Sequence, residues 1–167
     1  FADAPYVYSY GHRNPQGLIV DAATQSVWMT EHGPKGGAAL NRIEAGKNYG
    51  WPAITYGVDY SGAIISPFTE APGMEQPVTY WVPSIATSGL ALYTSSAIPS
   101  LTGKLLVGGL KAKKVVAVDV SGDKPVLTEP FPELEARVRD VRALSDGSVA
   151  VIDEAGGKVI RVSQGAG

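Results

Sequence analysis

The sequence predicts an all-β fold built from repeated antiparallel blades, and three observations carry that expectation. Short apolar runs are punctuated by 20 glycines and 12 prolines, the pattern of many strands joined by turns rather than of long helices. Three stretches of the chain repeat one layout of three strands. The 44% apolar content over 167 residues is enough for one packed domain, 1–167.

The first stretch, "QGLIVDAATQSVWMTEHG" with "ALNRIEAG", places strands at Gly17–Val20, Ser26–Thr30 and Leu40–Glu44. The second places them at Gly89–Tyr93, Lys104–Gly108 and Val115–Val120. The third places them at Asp140–Leu144, Ser148–Asp153 and Lys158–Ser163. Between the first and second, residues near 46–84 are rich in Gly, Pro and aromatics and read as a long ordered insertion, with room for a small hairpin. A blade of a β-propeller takes ~40–50 residues, so the expectation is a partial β-propeller of about three four-stranded antiparallel blades. A lone blade cannot bury both faces, and three blades do not close a ring, so the chain reads as part of a larger assembly. A small self-sufficient sandwich is the competing architecture.

Net charge is −2, which excludes bulk attraction to nucleic acid or to an anionic membrane. The chain lacks the unbroken apolar run of about 18 residues that a membrane helix needs. The start "FADAPYVYSY" has no signal-peptide pattern. Cysteine is absent, so disulfides and thiolate metal sites are excluded.

Several cations sit where apolar strands meet loops. Arg137 and Arg139 in "ARVRD" are two apart, on one face of an extended strand. Like charges side by side are costly unless an anion lies between them. Lys111 follows "LLVGGL", whose glycines permit close approach to the backbone, and Arg13 lies in "YGHRNPQGL". If the four converge, they form a pocket for a ligand with several carboxylates or phosphates. The alternative is ordinary surface pairing with the 16 acids, with Asp140 the obvious partner for Arg139. "TEHGPKGG" offers a Gly-Pro turn whose carbonyls can face a hard cation. His12 and His32 lack metal-ligand spacing and read as structural.

"GHRNPQGL", "TEHGPKGG..LN", "GKNYGWP", "GGLKAKKV" and "RVRDVRALSDGSV" together resemble the soluble pyrroloquinoline quinone (PQQ)-dependent glucose and aldose sugar dehydrogenases. The resemblance runs in order along nearly the whole chain and implies the C-terminal half of a six-bladed propeller. It implies that Arg13, Asn14, Gln16, Lys111, Arg137 and Arg139 contact PQQ, and that the carbonyls of Gly33 and Pro34 hold its calcium. It also implies a periplasmic or secreted parent, an aldose substrate and oxidation by hydride transfer to PQQ. The catalytic histidine of such enzymes belongs to an earlier blade, so no catalytic residue is assigned here. Tyr49 and Tyr60 match carbonyl positions near a second calcium. The family reads "GGDE" where this chain has Gly36-Gly37-Ala38-Ala39, so that second site loses two carboxylates.

Two functional expectations follow. In one, this half-ring contributes cofactor contacts and is inactive until the missing N-terminal half is supplied. In the other, two copies close a ring as a non-catalytic assembly or binding module. The aromatic residues Trp51, Tyr56, Tyr60, Tyr80 and Trp81 either stack on a sugar or anchor the insertion.

Overall fold

The computed structural model of the chain describes residues 1–164. The described residues form strands joined by turns, with one short 3₁₀ turn at Pro99–Leu101. The chain divides into two compact units, Phe1–Ile85 and the residues from Ala86 onward.

The first unit holds one antiparallel sheet in the order β1 (Pro15–Val20), β2 (Val27–Glu31), β3 (Ala38–Ile43) and β4 (Thr79–Trp81). β2 and β3 are rich in apolar residues and are buried along most of their length. Burial of successive residues means that both faces of the sheet are covered there, since side chains alternate across a strand. β4 lies inside the region expected to be insertion. It completes the blade by pairing Trp81 with Ala38 and Thr79 with Leu40.

The segment 44–78 is fastened to the chain before β1. Tyr10 N–H donates to Lys47 O at 3.1 Å, Tyr49 N–H to Tyr10 O at 2.8 Å, and Trp51 N–H to Gly11 O at 2.9 Å. Gly11 makes this approach possible. Its φ is +79°, and an added Cβ would lie 2.2 Å from Asn48 Oδ1 and 2.6 Å from Gly50 N.

The second unit holds two antiparallel sheets. One has the order β5 (Thr87–Leu92), β6 (Leu105–Gly109), β7 (Lys114–Asp119) and β8 (Val126–Thr128). The other runs β9 (Val138–Ala143), β10 (Val149–Asp153) and β11 (Lys158–Val162). This last blade has three strands among the described residues, where four were expected. Ala91, Tyr93, Leu106, Val115 and Ala117 of the first sheet pack with Val138, Val141, Val149 and Val151 of the second. The close approach that the glycines of "LLVGGL" permit is used here. An added Cβ at Gly108 would lie 2.6 Å from Ser88 Oγ and 2.7 Å from Val138 Cγ1. The neighbouring sheet, not a ligand, comes close to this backbone.

All nine strands expected from the repeats are present, each within two residues of its expected ends. β4 and β8, of three residues each, are the fourth strands expected of these blades, at positions that the sequence did not mark. Each sheet's first strand carries a register shift: between Pro15 and Gly17, between Thr87 and Leu90, and at Asp153 opposite Val138–Asp140.

Tyr93 bridges the two sheets of the second unit. Its buried hydroxyl donates to Gly147 O and accepts from Ile98 N–H. Tyr93→Phe strands both partners and is expected to destabilise the chain by about 1–3 kcal/mol, measured by urea unfolding. A change below a few tenths of a kcal/mol would show that water replaces the hydroxyl.

Candidate functional site

In the first unit the loop before β1 is pinned by a buried carboxylate. Glu31 closes β2 and is 9% exposed. It accepts a hydrogen bond from Arg13 N–H. Its second oxygen lies 3.4 Å from His12 Nδ1 and 3.5 Å from Asn41 Nδ2. His12 Nε2 lies 2.8 Å from Ser9 Oγ. One tautomer satisfies both contacts: Nδ1–H donates to Glu31, and Nε2 accepts from the Ser9 hydroxyl. His12 also stacks on Tyr49, with ring centroids 4.8 Å apart. Ser9, His12 and Glu31 have the order of a nucleophile, base and orienting acid, but the cavity beside Glu31 is lined by neither Ser9 nor His12. Both histidines have structural partners, as expected. His32 Nδ1 donates to Gly33 O at 2.6 Å.

The Arg13 side chain leaves this anchored backbone and donates from Nη1 to His32 O at 3.0 Å. Its guanidinium carbon lies 5.4 Å from the Trp51 ring centroid and 5.8 Å from that of Tyr60. Arg13 is therefore held by a carbonyl and two π faces, with no carboxylate pairing among the described residues. Asn14 and Gln16 sit beside it, Gln16 Nε2 donating to Asn14 Oδ1 at 2.8 Å. Gln16 occupies the register shift of β1. The aromatic insertion divides its duties. Trp51 and Tyr60 face Arg13, whereas Tyr56 and Tyr80 stack on each other with centroids 3.8 Å apart. Tyr49 O–H donates to Arg42 O, and Tyr56 O–H to Gln76 Oε1. These contacts favour anchoring for Tyr49, Tyr56 and Tyr80.

Gly33 and Pro34 are buried in the turn after β2. Carbonyl oxygens are of the hard type that calcium prefers, but the Gly33 oxygen already accepts from His32 Nδ1 at 2.6 Å, so a cation there would have to share it. The second calcium site fits less well. Ala39 lines a cavity of about 60 Å³ with Glu31, Asn41, Tyr49 and Glu75, while Ala38 is fully buried. Glu31 is committed to Arg13 N–H, and Glu75 pairs with Lys47 at 3.0 Å. Among the described residues, no group of three His, Cys, Asp or Glu side chains is placed to hold a metal.

In the second unit, Arg137 and Arg139 lie side by side as expected, and the anion between them is Glu154. Arg137 Nε and Nη2 both lie 3.0 Å from Glu154 Oε2, and Arg139 Nη2 binds Oε1. Asp140, the expected partner of Arg139, pairs with Arg142 instead at 3.0 Å. Asp140 and Arg142, two apart on the strand, share a face that the adjacent Arg139 does not. At the register shift Asp153 is opposite Val138 and Ile152 opposite Asp140, so Arg139 also has no partner residue on β10. Bulges of this kind re-aim a side chain, and Arg139 reaches the turn after β10. Lys111 is exposed in the turn between β6 and β7, without an ion pair among the described residues. Glu31 and Glu154 were not singled out in the sequence. The available signals were an acid ending the apolar run "VWMTE" and an acid opening the turn "DEAGG".

The hydrogen bond from Arg139, with help from Arg137, holds the Glu154 carboxyl below its usual range. A lowered folded-state value favours folding above the unfolded-state value of about 4.3, and that contribution is lost as pH falls through the lowered value. Glu154→Gln is expected to lower the melting temperature at pH 7 and to differ less from the parent at about pH 3. Melting curves across that range check it, and a constant difference would refute the pairing.

A family model described as Glucose / Sorbosone dehydrogenase matches residues 2–161. The chain is 43% identical over 163 residues to the aldose sugar dehydrogenase YliI of Escherichia coli strain K12, covering 94% of this chain and 43% of that protein. It is similar to the crystal structure of the soluble aldose sugar dehydrogenase from Escherichia coli in the apo form. There the TM-score is 0.86 at 42% identity, over 94% of this chain and 46% of that one. It is also similar to the PQQ-bound aldose sugar dehydrogenase of Streptomyces coelicolor, with a TM-score of 0.66 at 26% identity over 94% of this chain and 45% of that one. The chain thus spans less than half the length of these relatives.

Proposed function

The chain belongs to the glucose/sorbosone dehydrogenase family, and we propose that it is the C-terminal half of a PQQ-dependent aldose dehydrogenase that supplies cofactor contacts rather than the catalytic base. The observation that supports this reading is the match of the glucose/sorbosone dehydrogenase model to residues 2–161, with the similarity to a PQQ-bound aldose sugar dehydrogenase. Arg137 and Arg139 pair with Glu154, and the reading requires a ligand carboxylate to use the guanidinium edges that Glu154 leaves. Paired cations suit a ligand bearing several carboxylates. By family resemblance Arg13, Asn14, Gln16 and Lys111 are proposed as further cofactor contacts, and the Gly33 and Pro34 carbonyls as contacts to its calcium. When bound, PQQ would accept hydride from the sugar. His12 and His32 are engaged by Glu31, Ser9 and Gly33 and are not assigned as the base.

The aldose would be oxidised to its lactone only when the remaining blades complete the site. That portion of the relatives' length is the partner this reading requires. Among the described residues, no helix is long and apolar enough to cross a membrane. A periplasmic or secreted setting is proposed from the family alone.

Titration with PQQ and calcium, followed by absorbance, tests the cation assignment. Arg137→Ala is expected to weaken binding about 10–100-fold, the loss of a charge-assisted hydrogen bond. Arg161→Ala, which removes a residue of β11 paired with Asp146, is expected to leave binding nearly unchanged. Equal effects would overturn the assignment of Arg137.

The Tyr49 and Tyr60 carbonyls form at most a weak second calcium site beside Ala39. Ala39→Glu would set a carboxylate directly across from Glu31 on the paired strand. The like charges are expected to lower the melting temperature in chelator, and calcium to restore it. A calcium-independent melting temperature in this variant would show that the cavity does not admit the ion.

A further inference from the structure

We infer that Glu31 is a positioning residue for Arg13: its buried carboxylate locks the loop from which the guanidinium is presented. Arg13 lies two residues before the start of β1, in a stretch that includes Gly11 with φ +79°. Such a stretch has many accessible backbone conformations, and a long side chain launched from it would sample many directions. Glu31 removes that freedom. It is 9% exposed at the end of β2, and donors from two directions meet it. Arg13 N–H comes from the loop itself, His12 Nδ1 from the preceding residue at 3.4 Å, and Asn41 Nδ2 from β3 at 3.5 Å. The loop is thereby tied to the two central strands of the sheet.

The chemistry requires a carboxylate. An ionised carboxylate is acceptor-only, with two oxygens able to take several donors. A glutamine would keep one acceptor oxygen but turn an NH₂ toward either the Arg13 amide or the His12 and Asn41 donors. With the backbone fixed, Arg13 reaches His32 O and lies between Trp51 and Tyr60. Both aromatic residues come from the segment 44–78, whose anchor is Trp51 N–H on Gly11 O. Glu31 and this segment fix the same loop from two sides, and Arg13 is the side chain held between them. The positioning rests on these contacts alone. Its consequence for cofactor affinity rests on the proposed function.

The test compares Glu31→Gln with Arg13→Gln by the ¹H–¹⁵N resonance of the Trp51 indole, with Trp28 and Trp81 as internal controls. Arg13→Gln removes the cation from the Trp51 face and defines the reference displacement. Glu31→Gln is expected to move the Trp51 resonance in the same direction by at least half that displacement, leaving Trp28 and Trp81 in place. Hydrogen exchange of the unmodified chain supplies a measurement that needs no variant to fold. The Arg13 amide is expected to be protected to a degree comparable with the His32 amide, which donates to Asn14 O within the strand pairing. An unmoved Trp51 resonance in folded Glu31→Gln, or an Arg13 amide exchanging at the free rate, overturns the inference. A PQQ titration separates the two claims. Glu31→Gln is expected to raise the dissociation constant about tenfold. Unchanged binding in Arg13→Gln would overturn the cofactor role of Arg13 and leave the positioning by Glu31 intact.

Discussion

Two-sided burial of the sheets is the constraint on which the structure depends. Every position of β6 is buried, as is nearly every position of β5 and β2. A strand with this profile has apolar side chains on both faces, and a single sheet cannot cover both by itself. In the second unit the answer is visible as one sheet laid against another, with valines of β9 and β10 filling the surface of β5–β7. Gly108 and Gly89 lie at the tightest approach: an added Cβ on Gly89 would meet Asp140 Oδ1 at 2.1 Å. The edge strands differ from this central profile. Leu18 and Val20 of β1 and Val159 of β11 are each more than half exposed.

The polar residues assigned above to a ligand lie near strand ends where the ladder is broken. The first strand of each sheet carries a register shift. In β1 the extra residue is Gln16, beside Asn14 and Arg13, and in β9 it is Arg139. A bulge frees one residue from the alternation that would otherwise send it to the core or the opposite face. Polar side chains can thus leave a sheet whose neighbouring positions are buried. In β5 the shifted pair is Ser88 and Gly89, used for inter-sheet packing, with Ser88 Oγ donating to Val138 O. One backbone device, repeated by the sheets, carries polar side chains in two of them and inter-sheet packing in the third.

The repeat layout and the nine principal strands were legible because alternation and turn residues are local signals. Val149–Asp153 and Lys158–Val162, for example, flank "EAGG", a turn that any reading of Gly positions finds. β4 and β8 were not legible because three residues are too few to show a period. For the site, the positions of Arg13, Arg137 and Arg139 could be read, but their partners could not. Arg139 chose Glu154 over the adjacent Asp140 at a register shift, and register is a property of two strands rather than one. Glu31 was hidden for a related reason. Its importance comes from residues 18, 19 and 10 positions away in sequence, brought together only by the folded sheet.

The two arginine arrangements solve one electrostatic problem in different ways. If these guanidiniums meet an anionic ligand, as proposed, they have to be held in place without it, and an ion pair that holds them reduces the attraction they offer. Arg137 and Arg139 are held by a full negative charge on Glu154, at partly exposed positions where solvent screens the pairing. Two positive charges and one negative leave this cluster cationic, and the guanidinium edges facing away from Glu154 are the ones a ligand carboxylate would use. Arg13 is held by a carbonyl oxygen and two aromatic faces, with the Asp59 carboxylate near enough to feel its charge but not in an ion pair. The carboxylate that secures Arg13 does so through the backbone amide, so the anchoring charge acts on the main chain rather than on the guanidinium. Placing the anchor on the backbone separates orientation from neutralisation. It leaves the direction of the Arg13 guanidinium to a carbonyl and two rings rather than to a salt bridge.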